Sequence, residues 1–123
     1  MTVRILLVED DEDLQEIYLS MLDGNGWQIA QAYDGHEALE QLEQAAADLI
    51  VLDIILDEMM GDELYMRLRQ DERFAKIPVV VVSALPEQRC QHILQLDPTT
   101  AFLRKPFRRQ QLLEAIGEGL GRR

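Results

Sequence analysis

Several polar residues in this chain stand directly after an apolar run. Glu9 and Asp10 follow ILLV, Asp53 follows LIVL, Ser83 follows VVVV and Lys105 follows FLR. Two adjacent acids, a separate acid, a hydroxyl and a lysine form a recognisable chemical set. Carboxylates held close together repel, and burial strips them of water, so something must compensate their charge. A hard divalent cation with oxygen ligands does so, and Mg2+ suits a site with few carboxylates and retained waters. A lysine adds a fixed positive charge, and a serine hydroxyl adds a donor. Cation, lysine and hydroxyl can together balance charge on phosphoryl oxygens. One carboxylate is then free to act as nucleophile and form an acyl phosphate. Asp53 is the candidate nucleophile, Glu9 and Asp10 are the candidate metal-holding pair, and Lys105 and Ser83 are the candidate charge-balancing groups.

These residues form a site only if the fold brings them together. Val3–Val8 reads as a short strand. Leu14, Ile17, Tyr18, Met21 and Leu22 recur at helical spacing, and Gly24 and Gly26 end that helix. Trp27–Ala32 reads as a second strand. Asp34-Gly-His-Glu37 has the form of a capping box, and Ala38, Leu39 and Leu42 mark the inward face of the helix that follows. Leu49–Leu52 is a continuous apolar run, the mark of a strand buried on both faces. Gly61 or Asp62 opens a helix carrying Leu64 and Leu68. Pro78 leads into a strand over Val79–Val82. Pro86 opens a helix to about Gln95 with a thin stripe of Cys90, Ile93 and Leu94. Thr100–Leu103 is a further strand. Phe107, Leu112, Leu113, Ile116 and Leu120 give a last amphipathic helix, whose Gly117, Gly119 and Gly121 predict a frayed tail over 117–123.

Strand and helix thus alternate five times, which predicts an α/β fold with a doubly wound parallel sheet and helices on both faces. With strand order 2-1-3-4-5, the strands ending in Glu9, Asp53, Ser83 and Lys105 are consecutive, and their carboxyl ends share one crevice.

Composition narrows the function classes. The 123 residues suit one domain, and 47% hydrophobic content suits a packed core. Acidic side chains outnumber basic ones 23 to 12, a formal charge of -11, which disfavours nucleic acid and anionic membrane surfaces as partners. Cys90 is the one cysteine, so no internal disulfide can form, as expected of a reducing cytoplasm. The N-terminal stretch turns acidic too early for a signal peptide, and no apolar run approaches the ~20 residues of a membrane span. GEGLGRR is the stretch suited to lead into a linker.

The segments ILLVEDD, DLIVLDIILDEMMGDEL, IPVVVVSA and FLRKPF, in this order and spacing, resemble the response-regulator receiver domain of two-component signalling. The resemblance covers essentially the whole chain, 1–123. It implies a flavodoxin-like fold, Asp53 as phosphoacceptor, and Mg2+, or Mn2+ in its place, on Glu9, Asp10, Asp53 and the backbone carbonyl of Ile55. It also implies Ser83 as the switch hydroxyl, Phe102 as the switch aromatic, Lys105 as the site lysine, and a cis Lys105–Pro106 peptide. The implied partner is a sensor histidine kinase or phosphotransfer protein, with a downstream protein beyond it and a phosphorylation-linked dimer as an option. Three positions depart from the family pattern: Asp57 in place of proline, Asp97-Pro-Thr-Thr before the last strand, and Phe102 in place of tyrosine.

Plainer roles exist for many of these residues. Acids after a strand can cap a helix, which is the reading adopted for Asp11, Glu12 and Asp13. Asp57, Glu58, Asp62 and Glu63 read as surface charge, Met59 and Met60 as packing, and His36 and His92 as helix-surface residues. Arg108 and Arg109 read as a solvated face or a partner contact. A small aspartyl-nucleophile phosphatase is an alternative of a different class, but it calls for a second acid two residues past the nucleophile, where this chain has Ile55. A degenerate receiver acting as an interaction module is a further alternative, disfavoured by the complete polar set.

Overall fold

The computed structural model describes residues 2–54, 61–84, 97 and 99–122. The elements are β1 (Arg4–Val8), α1 (Glu12–Leu22), β2 (Gln28–Ala32), α2 (Gly35–Gln44), β3 (Leu49–Asp53), α3 (Gly61–Gln70), β4 (Val79–Ser83), β5 (Ala101–Arg104) and α4 (Arg109–Arg122). All neighbouring strands pair in parallel, in the order β2-β1-β3-β4-β5. This is the doubly wound, flavodoxin-like arrangement expected from the sequence.

Side chains alternate across the sheet and sort the core into two layers. Leu6, Val8, Ile50, Leu52 and Val81 face α2 and α3, meeting Leu42, Leu64 and Leu68. Ile5, Leu7, Val51, Val80 and Val82 face α1 and α4, meeting Leu22, Leu112 and Ile116. The central β3 and β4 are buried along their whole length, as their unbroken apolar runs demand. The edge strands β2 and β5 are partly exposed.

Local chemistry sets the element ends. Asp11 caps α1, its Oδ1 accepting from the backbone N–H groups of Asp13 (2.8 Å) and Leu14 (3.1 Å). Asp34 caps α2 by accepting from the Glu37 N–H at 2.8 Å. Asp97 accepts from both the Thr99 N–H and its hydroxyl, at 3.0 and 2.6 Å. The unusual lead into β5 is therefore a turn closed by its own aspartate. It is tied to α3 by the Tyr65–Thr100 hydroxyl pair at 2.9 Å and by Arg69 to Asp97 at 3.4 Å.

Several sequence expectations need correction. Trp27 and Thr100 lie just outside their strands, and Arg104 extends β5. Ile17, expected inward, is 47% exposed, while Gln15 is buried, so the inward face of α1 is rotated toward Gln15, Tyr18 and Leu22. Arg109 is not simply solvated: its guanidinium donates to the carbonyls of Met21 (2.8 Å) and Asp23 (3.4 Å) at the end of α1. The helix expected from Pro86 to Gln95, with Cys90 and His92, lies outside the described residues. So do Ile55, Asp57, Glu58, Met59 and Met60. Among the described residues, no helix is long and apolar enough to cross a membrane.

α4 continues through all three of its glycines to Arg122. These glycines are not equivalent. A methyl added at Gly117 or Gly121 meets nothing within 4 Å, whereas one at Gly119 would stand 2.6 Å from Leu49 Cδ1. Gly117→Ala is expected to stabilise the fold by roughly 0.5–1 kcal/mol through helix propensity. Gly119→Ala is expected to destabilise it by about 1–2 kcal/mol through overpacking. Paired thermal melts check this, and shifts of the same sign would exclude the packing role of Gly119.

Candidate functional site

The site assembles at the carboxyl edge because the strands run in register there. Val8 lies beside Leu52, Asp53 beside Val82 and Ser83 beside Arg104, so the residues that end β1, β3, β4 and β5 are neighbours. The Glu9 N–H donates to Ala32 O at 3.1 Å, and the Lys105 N–H to Ser83 O at 2.8 Å, extending the ladder one step past each strand. The Lys105–Pro106 peptide is cis.

Glu9 and Asp53 are almost fully buried, with relative exposures of 1% and 4%. Lys105 bridges them, its Nζ donating to Asp53 Oδ2 at 2.6 Å and to Glu9 Oε1 at 3.0 Å. Asp10 completes the cluster: one oxygen each from Glu9, Asp10 and Asp53 lie within 4.8 Å of one another. Ser83 is buried at the end of the adjacent strand. Phe102 is partly buried and packs into the layer facing α2 and α3. Of the residues singled out from the sequence, Glu9, Asp10, Asp53 and Lys105 thus meet directly, Ser83 ends the next strand, and Phe102 stands apart.

Burial of Glu9 pushes its carboxyl up to about 8, and the nearby Asp53 adds to this, while Lys105 opposes it. Burial also works against the Lys105 ammonium, but the Asp53 and Glu9 carboxylates outweigh it and hold the lysine above its ordinary value. One lysine therefore does not fully compensate the cluster. The all-oxygen donor set and its uncompensated charge fit a hard divalent cation.

Three supporting residues were not singled out from the sequence as site residues. Gln15, fully buried, donates from Nε2 to Glu9 O (2.9 Å), Ala32 O (2.9 Å) and Leu7 O (3.4 Å), and accepts from Gln31 at 3.0 Å. It clamps the end of β1, from which Glu9 and Asp10 project. A glutamine between Leu14 and Tyr18 on an otherwise apolar face was the available signal. Gly61 opens α3 with its N–H on Ile54 O at 2.8 Å, packed against the backbone of Asp53 and Ile54. Tyr18, read only as core, stacks on Phe107 with ring centroids 5.8 Å apart, beside Lys105.

The comparisons with known proteins agree with this geometry. The family model "Response regulator receiver domain" matches residues 5–117. The chain belongs to the response regulator receiver family. Among relatives of this receiver, the sensor histidine kinase TmoS of Ectopseudomonas mendocina is 34% identical over 109 residues, which span 89% of this chain and 11% of the kinase. The polar-differentiation response regulator DivK of Brucella ovis is 29% identical over 121 residues, spanning 98% of both chains. A putative response regulator from Chloroflexus aurantiacus superposes with a TM-score of 0.89 at 27% identity, covering 99% of this receiver and all of that chain.

Proposed function

We propose that this receiver accepts a phosphoryl group on Asp53 from a phosphohistidine of a sensor kinase or phosphotransfer protein. The observation that carries this reading is the Lys105 ammonium shared between Asp53 and Glu9 beside the Asp10 carboxylate. An Asp53 oxygen attacks phosphorus, the donor's P–N bond breaks, and the electron pair leaves with the imidazole. Lys105 keeps one of its donors for a phosphoryl oxygen, and the Ser83 hydroxyl supplies another. Glu9, Asp10, Asp53 and the Ile55 carbonyl would hold Mg2+ or Mn2+, which supplies positive charge to the phosphoryl oxygens. The chain acts as a phosphoacceptor rather than as a turnover enzyme, in the cytoplasm, through changed protein contacts. The receiver unit extends over 1–123, with 117–123 as its least protected turn. On phosphorylation Ser83 moves toward the phosphoryl group and Phe102 repacks, altering the surface around β5 and α4 and, in one outcome, favouring a dimer.

The test is intact mass after incubation with acetyl phosphate, with Mg2+ and with a chelator. One phosphoryl group is expected on the wild type with Mg2+ and none on Asp53→Asn. A substituted protein that still gained the group would sink the assignment. Steady turnover of a phosphate ester would instead favour the phosphatase reading.

A further inference from the structure

Gln15 is a fully buried polar side chain on the inward face of α1. A primary amide taken out of water costs free energy unless its donors and its acceptor are satisfied. Here both ends are. Its Nε2 faces the carbonyl oxygens of Glu9 and Ala32, each at 2.9 Å, and of Leu7 at 3.4 Å. Its Oε1 accepts from Gln31 Nε2 at 3.0 Å. These partners fix the orientation of the amide, because a flipped group would set its oxygen against carbonyl oxygens. Gln31 is held in turn, its own carbonyl accepting from Gln41 Nε2 at 3.3 Å.

The Glu9 carbonyl is the part of this network that bears on the site. It belongs to the peptide that joins Glu9 to Asp10. A peptide unit is planar, so a bond to its oxygen restrains the Cα atoms on both sides. The Glu9 N–H donates to Ala32 O at 3.1 Å, the same oxygen that Gln15 reaches. Glu9 is therefore held at its N–H and at its C=O, and both anchors meet at the Gln15 amide. The two acids that form the cluster with Asp53 flank one peptide plane, and Gln15 pins that plane.

Such pinning matters unequally to different cations. Mg2+ demands near-ideal octahedral geometry at short distances, whereas Ca2+ accepts oxygen ligands in looser arrangements. We propose that Gln15 is a positioning residue that sets cation specificity: it fixes the Glu9–Asp10 peptide against β1 and β2, holds the two carboxylates at the spacing a small, geometrically strict cation needs, and so favours Mg2+ over Ca2+. Gln15 acts through the backbone and touches neither cation nor phosphoryl group. This inference rests on the cation site in the function proposed above.

The test is Gln15→Met in the full chain, with Mg2+ and Ca2+ titrated separately by calorimetry at constant ionic strength, below the thermal transition. Methionine has a similar length and no amide. Mg2+ affinity is expected to fall about tenfold, the low end for a group that orients a metal ligand. Ca2+ affinity is expected to stay within about twofold. The thermal midpoint should also fall, because buried carbonyls lose a donor, and a merely structural role would produce that fall alone. Affinities for the two cations that fall in parallel, or that both stay unchanged, overturn the role of Gln15. Should Gln15→Met fail to fold, Gln31→Leu removes the donor on Gln15 Oε1 and leaves Gln15 in place. The ratio of Mg2+ to Ca2+ affinity is then expected to drop roughly threefold, and an unchanged ratio overturns the proposal. A wild type that binds neither cation overturns the cation site, and the role of Gln15 falls with it. A wild type that gains no phosphoryl group while Gln15→Met shows the selective loss overturns the proposed phosphoryl transfer and leaves the role of Gln15 standing.

Discussion

Gly61→Ala is expected to lower the thermal midpoint by about 10 °C and to slow the proposed phosphoryl gain on Asp53 by tenfold or more. The added methyl would press on the carbonyl oxygen of Asp53 and stand 2.6 Å from the Cα of Ile54. Both atoms are backbone, so no side chain can turn aside. Either α3 lifts off, stretching the Gly61–Ile54 hydrogen bond of 2.8 Å, or the end of β3 moves. Overpacking of this kind costs roughly 1–3 kcal/mol, and a backbone clash belongs at the upper end. The second route also displaces the Asp53 carboxylate from Lys105, and misplacing a reacting group by a fraction of its contact distance is costly in rate. Thermal melts and labelling rates below the transition check both effects. A variant as stable as the wild type would show that the start of α3 is not seated on the backbone of Asp53 and Ile54.

The second large effect concerns pH. The folded Glu9 carboxyl titrates near 8, raised first by burial and then by Asp53, against 4.5 for an unperturbed glutamate. A raised carboxyl favours the protonated form in the fold, so its contribution is fully present below about 4.5 and is lost as pH rises toward 8. Lys105 does not offset this, because its own raised value leaves it charged throughout that window. The metal-free protein is therefore expected to be most stable near pH 5 and to lose on the order of 2–4 kcal/mol by pH 8. Cation binding needs the deprotonated carboxylate, so Mg2+ should raise the midpoint far more at pH 8 than at pH 5.5. Melts from pH 5 to 8.5 stay above the range in which Asp97, whose burial is outweighed by its Thr99 hydrogen bonds and by Arg69 so that it is held low, loses its contribution. In Glu9→Gln, both the pH slope and most of the Mg2+ effect should vanish. A wild-type profile flat in this window would remove the buried-acid account of the site.

Much of the site was legible because its residues end strands. An apolar run followed by a charged residue marks both the strand and the polar group it delivers, as at Leu52–Asp53 and Val8–Glu9. The alternation of strand and helix then specified which ends meet. What remained hidden depends on contacts between elements. Gln15 interrupts an apolar face, but its burial shows only once the phase of α1 is known, and the exposure of Ile17 is hidden for the same reason. Gly61 looks like a helix start, yet its role is the absence of a Cβ against Asp53. Arg109 looks like a mildly unfavourable charge at a helix N-terminus until the end of α1 is brought beside it. Tyr18 fits a core pattern, and only the third dimension stacks its ring on Phe107, far along the chain.

The reach of Lys105 has a consequence for how the protein is made. Its partners precede it in the chain by 96 residues (Glu9) and 52 residues (Asp53). A ribosome adding about 5–20 residues per second leaves the two acids without their counter-charge for several seconds after Asp53 has been added. During that interval β1 and β3 cannot pair fully without burying charge that only a proton on Glu9 or a divalent cation can balance. Docking of β5 supplies the ammonium and closes the sheet in the same event. A nascent chain interrupted before Lys105 thus holds Asp53 and Glu9 but not the fixed ammonium they share in the fold, so the acidic end of its sheet favours contact with water until synthesis has passed the last strand.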